Sequence, residues 1–130
     1  MDVKTISFPV PDPGADDKKL FVLKAPVDSK GGGITITEAY AVNNATFAGA
    51  GTTFTLQLLT ASNAGTPAVN GTVSNILGSA SPWAADVPQQ FTISDGWVDG
   101  GEWVVLDYQE ITAGNPTNCY VTLSYVQGRG

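Results

Sequence analysis

The chain contains no histidine. That absence removes Ser-His-Asp triads, Cys-His pairs and His-ligated zinc from the available chemistry, leaving carboxylates, lysine and tyrosine as candidate catalytic groups. Cysteine is nearly absent as well. Cys119 is the only one, so no intrachain disulfide can form. It alternates with Val121 and Leu123, the spacing of a strand face, where a free thiol behaves as a small buried hydrophobe.

Charge is scarce, at 14% of 130 residues against about 25% in ordinary soluble domains. Positive charge is scarcer still: six basic residues stand against twelve acidic ones, for a net charge of -6. Five of the six fall in the first 30 positions. An acidic body of this kind repels phosphate, so nucleic acid is not an expected partner. No run of about 18 apolar residues is present, so no membrane-spanning helix is expected. The start, "MDVKTISFPVPDPG", places acids and prolines where a signal peptide needs a basic region and an apolar core, so synthesis in a cytoplasm is expected. No stretch keeps a helical period over 11 residues.

What remains is a composition 42% hydrophobic, with polarity supplied by Thr, Ser, Asn, Gln and Gly. β-rich segments recur at 20–27, 34–42, 52–61, 89–95, 102–111 and 118–128, separated by Gly, Asn and Pro turns. In 34–42, Ile34, Ile36, Tyr40 and Val42 are expected on one face and Thr35 and Thr37 on the other, with Glu38 breaking the apolar row. Residues 72–78 fit either a helical turn or a distorted edge strand. The pattern predicts an all-β chain: an antiparallel β-sandwich or jelly-roll-like barrel of about seven to eight strands, spanning 20–130. Residues 1–19 are expected to form an extended N-terminal arm, because Pro9, Pro11 and Pro13 favour polyproline-like backbone. Val3, Ile6, Phe8 and Val10 give that arm apolar anchors suited to a partner surface; an edge strand on its own domain is the other reading.

The stretch "SDGWVDGGEW" at 94–103 sets Asp95, Asp99 and Glu102 among glycines and tryptophans. Its carboxylate spacing matches no EF-hand, whereas Asp-Gly dipeptides are turn formers, so a turn is expected and no bound metal. Trp83 and Trp97, beside Asp95 and Asp99, are the residues a sugar-binding module would use, stacking rings on a sugar while the acids accept from its hydroxyls; closing the ends of a sandwich is the competing role for such rings. Trp103 shares parity with Val105 and reads as a core residue. No Walker loop, dinucleotide fingerprint or metal cluster occurs, so no cofactor and no enzymatic activity are expected.

The run "GGGITITEAYAVNNATFAGAGTTFTLQLLTA", followed by "DGGEWVVLDYQEITAGN" and "CYVTLSYVQG", resembles small decoration (cement) proteins of tailed bacteriophage capsids. The likeness covers roughly 20–127 and lies in strand texture, scarce charge and the late strand entry from Gly101 to Tyr108. It implies a β-sandwich on the outer capsid surface of a virion, bound across neighbouring copies of the major capsid protein. It also implies a homo-oligomer, a trimer around local threefold positions. A carbohydrate-binding or fibre/lectin-like module is the alternative function.

Overall fold

The computed structural model describes residues 2–12, 17–27, 32–44, 54–62, 68–77, 84–110 and 118–128. Within them the chain is all-β, without a helix: β1 (Val3–Pro9), β2 (Asp17–Lys24), β3 (Ile34–Val42), β4 (Phe54–Ala61), β5 (Val69–Thr72), β6 (Gln89–Gln90), β7 (Trp97–Val98), β8 (Trp103–Glu110) and β9 (Tyr120–Gln127). They form two antiparallel sheets packed face to face as a β-sandwich. The first runs β1-β9-β3, with β6 and β7 both pairing to the far side of β3; the second runs β2-β8-β4-β5.

Alternation explains the core. Cys119, Val121 and Leu123 of the first sheet meet Leu56, Leu58, Val104 and Leu106 of the second, joined by Ile34, Ile36, Val73 and Phe91. Cys119 sits where its spacing placed it, and burial pushes its thiol up to about 12. A thiolate-dependent reagent at pH 8 is therefore expected to label the folded protein at least about a hundredfold more slowly than the denatured one. Comparable rates would put the thiol outside the core.

β3 departs from its expected face assignment at one point. Ile36 pairs with Tyr125 but Glu38 pairs with Ser124, so Thr37 is an inserted residue in a β-bulge. The insertion flips the parity beyond it. Ala39 and Ala41, not Tyr40 and Val42, point into the core, and Glu38 turns outward. The carboxylate that broke the apolar row was the trace of this bulge.

Of the two readings of the arm, the structure shows residues 3–9 as an edge strand of the domain itself. Residues 3–9 are extended, but they pair along their whole length with β9, from Val3↔Val126 to Pro9↔Tyr120. Thr5 and Ser124 hydroxyls lie 3.0 Å apart and those of Ser7 and Thr122 2.8 Å apart, which fixes this face of β1 outward. Prolines are tolerated because β1 is an edge strand and Pro9 is its last paired residue. Asp17 to Lys19, the end of the expected arm, already belong to β2.

The two sides of the sandwich differ. On one, residues 73–77 are irregular extended chain: the N–H groups of Val73 and Leu77 donate to Leu58 and Leu56 of β4, while Asn75 N–H donates to Thr92 O. That segment ties the second sheet to the first. On the other side, β1 and β2 are the edges of different sheets, and among the described residues no backbone hydrogen bond pairs these two strands.

Candidate functional site

The untied side carries an open groove of about 420 Å³, walled by Ile6, Phe8 and Pro9 from the first sheet and Leu20, Phe21 and Val22 from the second. Ile6, Phe8, Leu20 and Val22 pack against the core from below and are half-buried, so the groove floor is apolar and preformed. Phe21 stands at its rim, 39% exposed, held edge-on to Trp103 with ring centroids 5.7 Å apart and planes at 78°. All the described lysines (Lys4, Lys18, Lys19 and Lys24) lie on these two strands.

Of the four expected anchor residues, the structure brings Ile6 and Phe8 into the groove. Val3 lies exposed at the outer end of β1. Val10 is buried in the domain's own core, its N–H donating to Cys119 O at 2.8 Å, so it is not available to a partner. Its place at the foot of β1, where the chain leaves β9, accounts for that difference. Sequence reading missed Leu20, Phe21 and Val22, because nothing local shows that two consecutive edge strands border one groove.

In the 94–103 stretch the turn chemistry is plain. Asp95 Oδ1 accepts from Trp97 N–H at 3.2 Å, Asp99 Oδ1 accepts from Trp97 Nε1 at 2.6 Å, and Glu102 N–H donates to Asp99 O at 3.0 Å. Glu102 Oε2 accepts from Asn70 Nδ2. The three carboxylates thus serve separate N–H donors. Within this turn lies a strand that was not expected, β7, and it places Trp97 on the outer face of the first sheet. Trp83 lies outside the described residues. Trp103 is half-buried but stands on the outer face of the second sheet: its neighbours Val104 and Leu106 join the core, while Val105 and Leu59 are buried in a separate outer cluster beneath Phe21 and Trp103.

A perturbed carboxyl lies beside that cluster. Lys19 Nζ is 3.6 Å from both Asp17 Oδ2 and Asp107 Oδ1, and Asp107 Oδ1 is buried without a hydrogen-bond partner. Burial first, then the adjacent Asp17 carboxyl, push Asp107 up to about 6, against the opposing pull of Lys19. A folded-state value above the ordinary 3.8 means that the protonated form favours the fold. That contribution is complete below 3.8 and is lost as pH rises through about 6. Asp107→Asn is therefore expected to raise the melting temperature at pH 7.5 by about 1–3 °C and to flatten its decline between pH 4 and 6. The gain stays small because the carboxyl is partly solvated and the lost Lys19 pair is superficial. A variant that melts lower than the parent at pH 7.5 would show that the ion pair dominates instead.

Comparison with protein-family models, curated proteins and solved structures gave no match for this chain.

Proposed function

We propose that the chain is a non-enzymatic virion structural protein that decorates and stabilises a phage capsid, bound on the outer surface across neighbouring major capsid subunits. The observation that carries this reading is the groove between β1 and β2: apolar, preformed and bordered by two edge strands. An extended segment of the capsid protein adds to the free edge of β1 through backbone hydrogen bonds and drops apolar side chains between Ile6, Phe8 and Phe21. The remaining surface is acidic and poor in charge, which suits a protein displayed in many copies. The texture shared with capsid decoration proteins supports the same assignment, and with it a trimer. Repetition on a rigid lattice turns weak individual contacts into stable occupancy.

The test is decoration of native particles by the full chain and by Val3→Asp and Phe21→Asp. Both positions are exposed, so each variant is expected to fold. Wild-type protein should occupy the particle and Phe21→Asp should lose occupancy at least about tenfold, since it sets a charge at the rim of the apolar groove. Val3→Asp, on the outward face of β1, probes the strand added to that edge and should lose less. Unchanged density for both variants would remove the groove as the docking site, and failure of the wild type to bind would remove the function.

A further inference from the structure

Along the far side of β3 the first sheet is interrupted. Tyr40 and Ala41 pair with β6, and Ile34 and Thr35 pair with β7, leaving the bulged residues Thr37 and Glu38 opposite neither. The chain between β6 and β7 arches over this gap. One foot is Phe91 N–H donating to Ala39 O at 2.9 Å; the other is Gly96 O accepting from Ile36 N–H at 2.8 Å. An open pocket of about 360 Å³ lies at the arch, lined by Thr37, Glu38, Gln90, Phe91, Thr92 and Ile93. Phe91 is fully buried, so the side chains presented there are chiefly a carboxylate, an amide and two hydroxyls.

Aromatic rings bracket those groups. Thr35, Glu38 and Tyr40 pair with Val126, Ser124 and Thr122, which share one parity of β9, so all three project from the outer face. Trp97 stands opposite Thr35 on that face. Tyr40 therefore stands about two strand steps, ~7 Å, from Glu38 on one side. On the other, one strand over, Trp97 lies opposite Thr35 with its ring reaching away over Gly33, so the two rings mark the ends of a longer face with the pocket nearer Tyr40. The Trp97 ring is held in place: Asp99 accepts from its Nε1 and Asp95 from its backbone N–H, at 2.6 and 3.2 Å. Gly33 lies so close that a Cβ there would fall 2.4 Å from Cη2.

From this geometry we propose that the arch pocket, with Trp97 and Tyr40 as the rings at the ends of its face, binds a neutral oligosaccharide. A sugar presents apolar C–H faces and a dense ring of hydroxyls that both donate and accept. Fixed rings match the faces, and Glu38, Gln90, Thr37 and Thr92 together supply acceptors and donors for the hydroxyls. An apolar ligand would leave these polar groups unpaired. An anionic ligand would meet Glu38, Asp95 and Asp99 on a chain of net charge -6. The bulge is what makes the site, since without it Glu38 would point into the core. This surface is separate from the β1/β2 groove, so a decorating protein could hold a particle by one edge and a glycan by the other.

The test is a printed array of neutral and sialylated oligosaccharides, whose multivalent display compensates for a shallow site. It is read with the full chain, Glu38→Ala, Tyr40→Ala, Trp97→Ala and the groove variant Phe21→Asp, with thermal melts for each. The expected result is binding of a neutral glycan by the parent and by Phe21→Asp, with at least a tenfold loss in Glu38→Ala and Tyr40→Ala. Trp97→Ala should lose binding too, but its fold is less secure, so the two exposed-face variants decide. No neutral glycan bound by the parent, a preference for sialylated glycans, or undiminished binding by both deciding variants would overturn the proposal. None of these outcomes bears on particle occupancy.

Discussion

Deleting residues 2–11 is expected to lower the melting temperature by roughly 10 °C or more, or to abolish the cooperative transition altogether. The segment is integral to the first sheet, since β1 makes seven register pairs with β9. Val10 is buried, and Ile6 and Phe8 pack half-buried against the core. Full burial contributes about 1.5–3 kcal/mol for each such side chain; with half credit for Ile6 and Phe8 the loss is about 3–6 kcal/mol. Total stability of an ordinary domain is about 5–15 kcal/mol, so this is a large share. The deletion also uncovers Cys119, Val121 and Leu123 along β9, turning a central strand into an exposed apolar edge. Calorimetry of the full and truncated chains checks it. A truncated protein that melts within a few degrees of the parent would mean that β1 is a detachable arm. For the same reason, loss of particle binding on truncation would not locate the docking surface, whereas the point variants at Val3 and Phe21 would.

How much of this was legible in the sequence depended on whether a feature was local. Strand alternation at Cys119, Val121 and Leu123 carried its own face assignment, and the regular turn spacing carried the sandwich. Glu38 in an apolar row was a visible warning, yet one inserted residue sufficed to reverse the faces of Tyr40 and Val42. Around β8 both parities are apolar, Trp103 and Val105 against Val104 and Leu106, and alternation alone cannot say which set faces the other sheet. Pro9, Pro11 and Pro13 limited where a ladder could run but did not forbid one that ends at Pro9. Each candidate site was legible only in part: Ile6 and Phe8 stood out as apolar residues and Trp97 as a ring beside two acids. Their neighbours come from tertiary pairing, Leu20 lining one groove with Ile6 across two sheets and Thr92 lining one pocket with Glu38 beneath an arch.

The arch rests on one glycine, and replacing it is expected to have the second large effect. In Gly96→Ala the new Cβ would lie 2.3 Å from Ile36 O, 3.3 Å from Ile36 C and 3.3 Å from Ile93 Cγ2. The nearest atom is backbone in the middle of β3, held by β9 on one side, and it cannot yield as a flexible side chain would. Either β3 shifts or the arch lifts, and lifting breaks the bond from Ile36 N–H to Gly96 O. Overpacking costs about 1–3 kcal/mol and the lost hydrogen bond about 1, so the variant should be destabilised by about 2–4 kcal/mol. In a domain of this size that lowers the melting temperature by about 8–15 °C. The sign is diagnostic. Where a glycine serves only as a flexible link, alanine stabilises by about 0.4–1 kcal/mol through the unfolded chain. Thr92→Ala, an exposed substitution on the same arch, should stay within about 0.5 kcal/mol of the parent and controls for arch sequence as such. Trp97 follows Gly96 directly, so its fluorescence should shift in Gly96→Ala before the global transition if the arch lifts alone. A Gly96→Ala protein melting at or above the parent would show that β3 has room to retreat, and the arch would then be loose, not pinned at its foot.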